Sequence, residues 1–359
     1  MKQIAIFQSD LRVGGIQKAL VNILGELDYS RCEVDLYLYD SECFFDMPRH
    51  ENLHIRYCSP MPAWNRLLYF GLVLAAAKDV TGGKEYDVAV DFNSYRNECA
   101  VGAIKARAKK RVMWIHNDVE IKLANEPKYR ILWHFFKKKF AYYDAFAAVS
   151  PGIIESFRRA AGITGKPIIA IPNHIDTGEI FRKAGGAVDL AVDPEKLNLC
   201  SVGRICHQKG YDLLMEQLAQ VKRAGKPFHF YLIGDGPDRK ALENQIQRLG
   251  LTGDVTLLGN QANPFPYMDR MDGFVLTSRY EGQGMVIWEA KALGLPLYIS
   301  KNLEAYNPGV EGCADIAQAL LRAERPREKV YDDLSAYNSA ISDSIRALLE
   351  LCGIPIHKS

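Results

Sequence analysis

The feature that most constrains the fold of this chain is a repeated alternation of short apolar runs with segments of helical spacing. Apolar runs typical of buried strands occur at residues 4–7, 33–39, 86–91, 111–116, 145–150, 197–203, 228–234, 255–259, 273–276 and 296–300. Most of these runs end at a glycine-containing loop, and a helical segment follows. Strands that alternate with helices indicate an α/β fold with parallel sheets, because parallel neighbours require a long crossover between them.

The length of the chain indicates two such domains. At 359 residues it is long for one domain, and its 48% apolar and 25% charged residues are ordinary for a globular protein. The segment Pro172-Asn173-His174-Ile175-Asp176 has the character of an interdomain connection. We predict a first domain over residues 1–170, a second over 171–329, and a helical tail over 330–359 that packs back on the first domain.

Composition argues against several classes of protein. None of the eight cysteines forms a C-x-x-C pair or a zinc-type spacing, so we expect free thiols in a reducing cytoplasm. The N-terminus enters a strand without a signal peptide, and the longest apolar run, 67–77, is too short to span a bilayer. The net charge of +2 is modest and no nucleic-acid module is recognisable, so we expect no nucleic-acid partner.

Two stretches combine basic and aromatic residues. Residues 62–74 begin Pro-Ala-Trp-Asn-Arg and continue as an apolar run, and residues 129–143 place three consecutive lysines among Trp, Phe and Tyr. An interfacial helix on an anionic membrane needs this combination, so we expect peripheral contact with the inner face of the cell membrane through both stretches. A helix whose aromatic face is core and whose lysines are solvated is the alternative.

Candidate site residues in the first half lie where predicted strands end. The loops after three of these strands hold Gly14, Gly15, His116, Asn117, Asp118 and Ser150. Ligands of parallel α/β sheets bind at the carboxyl ends of the strands, and this rule selects these residues. A plain tight turn at the glycines and a structural histidine are the alternatives.

In the second half, the run at 273–276 leads into the loop Glu281-Gly-Gln-Gly and a helix predicted over Met285–Leu293. Glu281 lies in the loop, and Glu289 lies one turn inside the helix. Carboxylates accept hydrogen bonds from hydroxyls, and the free N–H groups of a helix start favour an anion. The arrangement suits a ligand with both hydroxyls and phosphates, whereas a capped surface helix with two solvated glutamates is the alternative.

A strand-to-helix loop upstream adds two cations. Arg204 and Lys209 follow the run at 197–203. Two fixed cations in such a loop can grip a diphosphate. Two solvated surface charges are the alternative if this loop is considered alone.

Together these motifs resemble the retaining glycosyltransferases of family 4. The matching pieces are Ser201-Val-Gly-Arg204-x4-Lys209-Gly, Leu232-Ile-Gly-Asp-Gly236 and Glu281-Gly-x-Gly-Met-Val-x-x-Glu289-Ala. The match extends over residues 197–300, and the Gly14-Gly15 loop agrees more loosely in the first half. The resemblance implies the GT-B architecture, in which two Rossmann-like, doubly wound α/β domains face each other across a cleft.

The resemblance also implies roles for individual residues. Arg204 and Lys209 would hold the donor diphosphate and stabilise the leaving group, where charge develops as the glycosidic bond breaks. Glu281 would contact donor-sugar hydroxyls, Glu289 would contact the ribose, and His116 would line the sugar pocket. The donor would also be approached by Gly14, Gly15, Gly203, Gly234, Gly282, Gln283, Gly284, Met285 and Val286. Candidates on the acceptor side are Asn117 and Asp118.

The resemblance therefore predicts a metal-independent, cofactor-free retaining hexosyltransferase of polysaccharide biosynthesis, such as lipopolysaccharide or capsule. The donor would be a UDP- or GDP-sugar, and the acceptor a glycan or lipid-linked glycan. Another GT-B chemistry, such as epimerisation of a sugar nucleotide, and non-catalytic binding of a sugar nucleotide are the alternatives. After Ile299 the sequence reads Lys301-Asn-Leu-Glu-Ala where the family has a Gly-Gly-x-x-Glu-like segment, so the identity of the sugar is not predicted.

Overall fold

The computed structural model describes residues 1–12, 14–59, 70–94 and 96–351, and divides the chain into two compact units. The first unit comprises Met1–His174 together with the chain from Ala336 onward, and the second comprises Ile175–Ser335. Each unit is built on one sheet whose paired strands all run parallel. The predicted α/β fold class is therefore confirmed.

The first unit has a seven-stranded sheet in the order β3-β2-β1-β4-β5-β6-β7. Its strands are β1 (Lys2–Gln8), β2 (Cys32–Leu38), β3 (Leu53–Tyr57), β4 (Glu85–Asp91), β5 (Arg107–Ile115), β6 (Ala145–Ala148) and β7 (Ile168–Ala170). Its first six helices are α1 (Gly15–Glu26), α2 (Phe70–Ala76), α3 (Asn97–Lys105), α4 (Val119–Asn125), α5 (Pro127–Phe136) and α6 (Ile154–Ala161). Helix α3 begins at Asn97, after the loop that follows β4.

The order of the strands reverses between β1 and β4, which places the loops after these strands side by side. The backbone N–H of Phe92 donates to the carbonyl of Phe7 at 3.0 Å. The Asn93 amide donates to the Ser9 hydroxyl at 3.2 Å. These bonds link the two loops at the topological switch point of the sheet, where α/β proteins bind their ligands.

The second unit has a five-stranded sheet in the order β10-β9-β8-β11-β12. Its strands are β8 (Leu197–Val202), β9 (Phe228–Ile233), β10 (Val255–Gly259), β11 (Gly273–Leu276) and β12 (Leu297–Ile299). Its helices are α7 (Thr177–Ala184), α8 (Tyr211–Arg223), α9 (Arg239–Arg248), α10 (Phe265–Asp269), α11 (Met285–Ala292) and α12 (Ile316–Arg322). The order of the strands reverses between β8 and β11, so the loops after these two strands are neighbours.

Helical spacing explains how α8 covers this second sheet. Leu214, Leu218 and Val221 repeat at intervals of four and three residues, and all three are fully buried. They pack with Leu199 of β8 and Phe230 of β9 in one apolar cluster. The core therefore fixes the helix that follows the Arg204–Lys209 loop, and with it the end of that loop.

The last helix, α13 (Ser335–Leu351), belongs to the first unit from Ala336 onward. Within this unit the Tyr337 hydroxyl donates to the carbonyl of Asn173 at 3.0 Å. Ile341 and Leu348 of the same helix are buried. Of all the helices in the described ranges, not one has the length and apolar character that a bilayer crossing requires.

Part of the stretch predicted to face a membrane is core instead. Trp133 is buried and donates its indole N–H to the carbonyl of Ala160 at 2.9 Å. Lys139 is only 2% exposed and donates to the carbonyl of Ser94. Phe140 is also buried, so membrane contact through these three side chains of residues 129–143 is wrong. In the other stretch, 62–74, residues 62–69 lie outside the described residues.

Candidate active site

The loops that follow β8 and β11 form the candidate site of the second unit. The first loop carries Arg204 and Lys209, and the second carries Glu281 and leads into α11. Both loops lie at the carboxyl edge of the sheet, at its topological switch point. The second sheet therefore brings together cationic and carboxylate candidates that are more than 70 positions apart in the sequence.

Two glycines after β9 fix the backbone on either side of Arg204. A Cβ at Gly234 would lie 2.1 Å from the carbonyl oxygen of Gly203, and one at Gly236 would lie 2.2 Å from that of Ile205. The N–H of Ile205 also donates to the carbonyl of Asp235 at 3.0 Å. Only glycine permits this close approach of two loops, so the backbone at Arg204 is held in place.

Arg204 itself projects outward from this fixed backbone. Its side chain is exposed, and within the described part of the chain it makes no hydrogen bond or ion pair. A guanidinium carries five N–H donors and stays charged at any physiological pH. Arg204 thus offers its full set of donors to an anion at the edge of the sheet.

Lys209 and Glu281 form the central contact between the two loops. The Lys209 ammonium lies 2.7 Å from a carboxylate oxygen of Glu281, and the side chains are 18% and 7% exposed. Burial is the largest single effect and lowers the pKa of Lys209, but the Glu281 carboxylate, with smaller effects of Tyr211 and Cys206, makes the net shift upward. Lys209 is therefore charged, and two of its three N–H groups are not used by Glu281.

Three further hydrogen bonds join the same two loops. The Gln208 amide donates to the carbonyl of Tyr280 at 3.1 Å and to Glu281 at 3.4 Å. The Thr277 hydroxyl donates to the carbonyl of Gly210 at 2.8 Å. These bonds make the two loops one connected structure, which favours a preformed site over two flexible loops.

Helix α11 starts beside Glu281 without a side-chain cap. Gly284 occupies the N-cap position and, being glycine, provides no side-chain cap for the first turn. Glu281, Gln283 and the backbone around them are buried, while Glu289 is half-buried one turn inside the helix. Glu281 is buried and contacts Lys209, which contradicts the alternative of a capped surface helix with two solvated glutamates. An uncapped helix start next to two cations suits an anionic ligand.

In the first unit, His116 follows β5 and is 6% exposed. Its Nε2 atom lies 2.6 Å from the carbonyl oxygen of Phe92, and the Phe92 ring packs on the imidazole at 4.9 Å between centroids. Because a carbonyl oxygen only accepts, Nε2 carries the proton, and Nδ1 is left with the lone pair. His116 can therefore accept a hydrogen bond from a hydroxyl through Nδ1.

Burial sets the charge of His116 and gives a testable pH behaviour. It lowers the pKa of the imidazole from 6.5 to about 4, against a smaller opposing effect of the Phe92 carbonyl. We expect no titration of His116 above pH 5, measured by NMR of the imidazole with His116→Gln to assign the signal. Because the unfolded chain takes up this proton near pH 6.5, the free energy of unfolding should fall as pH drops from 6.5 to 4. A midpoint near 6.5 in the folded protein would contradict the buried neutral tautomer.

The remaining candidates of the first unit have local structural tasks. Asp118 is buried and caps α4, where its carboxylate accepts from the N–H of Ile121 at 3.0 Å. Asn117 is half-buried between His116 and this cap. Gly14 is the N-cap of α1, and Gly15 is its first residue. These residues lie in the loops after β1 and β5, on either side of the loop after β4.

Sequence patterns did not reveal Arg279, Asp212 and Asn302, which also organise the loops after β8 and β11. The Arg279 guanidinium pairs with the Asp212 carboxylate, and the Asn302 amide donates to the carbonyls of Ser278 and Arg279 at 3.1 Å each. Asn302 lies in the short 3₁₀ turn Lys301–Tyr306, where the sequence departs from the family pattern. Arg279 and Asp212 lie just outside the quoted motifs, and the sequence gives no sign that they pair.

Two family models match the chain, one in each half. A model described as Glycosyltransferase Family 4 matches residues 13–179. A model described as Glycosyl transferases group 1 matches residues 196–323. The matched ranges contain most of the first sheet and the whole of the second.

Several proteins with similar sequences are named as glycosyltransferases. EpsF of Bacillus subtilis (strain 168), whose name places it among the glycosyltransferases, is 25% identical over 382 residues, covering 99% of this chain and 98% of that protein. A relative from Campylobacter jejuni is an N-acetylgalactosamine-N,N'-diacetylbacillosaminyl-diphospho-undecaprenol 4-alpha-N-acetylgalactosaminyltransferase. It is 26% identical over 297 residues, 81% of this chain and 79% of that protein.

Solved structures show the same architecture. HepE of Anabaena, solved in complex with UDP and glucose, matches with a TM-score of 0.63 and 20% identity over 98% of each chain. The apo form of WaaB, a lipopolysaccharide outer core galactosyltransferase, matches with a TM-score of 0.60 and 19% identity, covering 96% of this chain and 95% of that one. At these identities the likeness concerns the fold, which is GT-B. Two parallel α/β units, matched in order by the two family models, show that the chain belongs to the group 1 glycosyltransferases of the GT-B fold.

Proposed function

We propose that this glycosyltransferase moves a hexose from a UDP- or GDP-sugar to a glycan acceptor, with retention at the anomeric carbon. The observation that carries the proposal is the contact of Lys209 with Glu281 at the edge of the second sheet, in the loop that also carries Arg204. Two cations beside a helix start suit a diphosphate, and an adjacent carboxylate suits sugar hydroxyls. HepE, which shares the fold, was solved with UDP and glucose, and this supports a nucleoside-diphosphate sugar as the donor class.

The proposed mechanism centres on the leaving group. When the bond between the anomeric carbon and the diphosphate oxygen breaks, negative charge accumulates on the diphosphate. Arg204 and Lys209 would stabilise that charge, which lowers the barrier more than it tightens binding of the intact donor. Glu281 already accepts a hydrogen bond from Lys209, so we assign it to hydroxyls of the sugar and not to nucleophilic attack.

The other donor contacts are proposed for loop backbone and for two side chains. Glu289 would accept from the ribose, and His116 would accept from a sugar hydroxyl through Nδ1. Backbone contacts with the donor are proposed for Gly14, Gly15, Gly203, Gly234, Gly282, Gln283, Gly284, Met285 and Val286. Because Arg204 and Lys209 would supply positive charge at the leaving group, we propose that the reaction needs no metal ion. Equal transfer rates with and without EDTA would support this, and a loss restored by Mg²⁺ would contradict it.

For the acceptor we propose a glycan, or a lipid-linked glycan, of bacterial cell-surface polysaccharide biosynthesis. The Campylobacter jejuni relative carries diphospho-undecaprenol in its name, which supports a lipid-linked class. On the acceptor side Asn117 stays a candidate. The carboxylate of Asp118 caps α4. Asp118 would therefore contribute to acceptor binding only through its position beside Asn117.

Peripheral contact with an anionic membrane remains a separate proposal, restricted to the exposed part of residues 129–143. Lys137, Lys138 and Tyr142 are exposed, whereas Lys139 is buried. Sedimentation with phosphatidylglycerol vesicles should fall severalfold for Lys137→Glu/Lys138→Glu, because each basic residue near such a surface adds about 1 kcal/mol. The matched control is Lys109→Glu/Lys110→Glu on β5; equal loss in both double variants would contradict a specific contact here.

A two-stage experiment tests the proposed function. Thermal unfolding is first measured with UDP, GDP, ADP, CDP and dTDP, since a ligand that binds only the folded chain raises its stability by mass action. The matching sugar nucleotides are then incubated with lipid-linked and free glycan acceptors, and release of the nucleoside diphosphate is followed. We expect release that depends on the acceptor and a product with the anomeric configuration of the donor. Inversion, or conversion of the sugar nucleotide without an acceptor, would overturn the proposal.

A further inference from the structure

Arg279 makes several contacts between the loops that follow β8 and β11. Its two terminal nitrogens lie 2.7 and 2.6 Å from the two carboxylate oxygens of Asp212. The first of these nitrogens also donates to the carbonyl of His207 at 2.8 Å. The backbone N–H of Arg279 donates to the carbonyl of Gln208, again at 2.8 Å. Arg279 therefore contacts residues on both sides of Lys209.

The Arg279–Asp212 pair brackets the contact between Lys209 and Glu281. Asp212 is three residues after Lys209, and Arg279 is two residues before Glu281. A bidentate arginine–carboxylate pair fixes orientation as well as distance, because two parallel hydrogen bonds resist rotation. The pair thus constrains the two chain segments from which the Lys209 ammonium and the Glu281 carboxylate project.

Three of the five N–H donors of the Arg279 guanidinium are committed to protein acceptors. The Arg279 side chain is 20% exposed, and both terminal nitrogens are engaged by Asp212 and the carbonyl of His207. The contrast with Arg204 is direct, since Arg204 is exposed and makes no such contact within the described residues. An effect of Arg279 on a phosphate would therefore be transmitted through Lys209 and its loop.

We propose that Arg279 and Asp212 are positioning residues that hold Lys209 where it meets the second phosphate of a nucleoside diphosphate. This inference rests on the proposed function of the same site. It predicts a specific loss: the variants should bind a diphosphate less well while binding the corresponding monophosphate as before. A purely structural role would weaken binding of both nucleotides or of neither.

The chain offers a matched control at the opposite end of the same strand. Arg325 lies 3.2 Å from Asp272, which immediately precedes β11, whereas Arg279 follows β11 at its carboxyl edge. Arg325→Ala therefore removes an arginine–aspartate pair from the same unit, at the edge away from the site. It should lower thermal stability about as much as Arg279→Ala without changing nucleotide selectivity.

The test is titration calorimetry of UDP and UMP, with GDP and GMP in parallel, on the full chain and its Arg279→Ala, Asp212→Ala, doubly substituted and Arg325→Ala variants. The comparison uses the nucleotides of the base that the wild-type protein binds. Arg279→Ala should raise the Kd of the diphosphate about tenfold, which is the scale of a lost charged hydrogen bond. The Kd of the monophosphate should rise less than twofold. The double variant should be no worse than either single one, because the residues act through each other. Arg279→Lys, which keeps the charge without the bidentate geometry, should recover part of the affinity.

Each outcome decides the matter. An unchanged ratio of the two Kd values in Arg279→Ala, or the same change of ratio in Arg325→Ala, would overturn the positioning role while leaving the proposed function intact. Failure of the wild-type protein to bind either diphosphate would instead overturn the proposed function, and the positioning role with it.

Discussion

Replacing Arg204 with alanine is expected to lower kcat about 100-fold, and Lys209→Ala is expected to do the same, on the scale of losing one preorganised group that stabilises transition-state charge. The Arg204 side chain is exposed and unengaged within the described residues, so its removal should leave the unfolding temperature almost unchanged. Lys209→Ala should also destabilise the fold, because it leaves the Glu281 carboxylate buried without its cation. Initial rates of nucleoside-diphosphate release, with unfolding temperatures measured in parallel, check both expectations.

The control for these substitutions is Arg248→Ala, which removes an arginine that is 72% exposed from α9 of the same unit. Its kcat should stay within twofold of the wild-type value, since an exposed ion pair such as that of Arg248 with Glu216 contributes little. Near-normal turnover in both Arg204→Ala and Lys209→Ala would remove these residues from the reaction.

Gly210→Ala is expected to have the largest effect on stability, lowering the free energy of unfolding by about 2–4 kcal/mol through backbone strain and a steric clash. Gly210 has a φ of +65°, in the left-handed region that disfavours residues with a Cβ. An added Cβ would also lie 2.2 Å from the carbonyl oxygen of Thr277. Relief of that clash must separate the loops that follow β8 and β11, so activity should be lost together with stability. Urea unfolding and initial rates measure the two effects.

Gly225 provides the control, because it has a φ of +79° and an added Cβ would meet no atom within 4 Å. It follows the same helix that Gly210 precedes. Gly225→Ala should therefore lower the free energy of unfolding only by the strain of a left-handed backbone, about 1 kcal/mol, and should retain full activity. If the two alanine variants were equally stable and equally active, the close contact at Gly210 would have no functional importance.

Sequence patterns predicted the architecture well because each sheet is built from local units. Buried strands, glycine loops and helical spacing are all properties of a few neighbouring residues, and they are sufficient to identify both parallel sheets. Helix α11 shows how local the signal is: it was predicted over 285–293 and extends over Met285–Ala292, before Gly294 at a φ of +66°. Arg204, Lys209 and Glu281 were selected as residues of loops between a strand and a helix, and the neighbouring positions of β8 and β11 place both loops at one edge of the sheet.

Pairing between distant side chains could not be predicted in the same way. Lys209 and Glu281 are 72 positions apart, and their 2.7 Å contact depends on β8 and β11 being neighbours. The error at Lys139 has a related cause. A run of three lysines looks solvated, yet the third is buried because the loop after β4 provides the carbonyl of Ser94. The pattern of charge along the chain does not reveal which lysine meets a buried acceptor.

A crystal structure of the protein with UDP or GDP, whichever binds, tests most directly whether the loops after β8 and β11 hold the donor diphosphate. We expect phosphate oxygens within about 3 Å of both the Arg204 guanidinium and the Lys209 ammonium, the range of charge-assisted hydrogen bonds. The start of α11 should face the same diphosphate. A nucleotide whose phosphates contact neither Arg204 nor Lys209 would contradict the account.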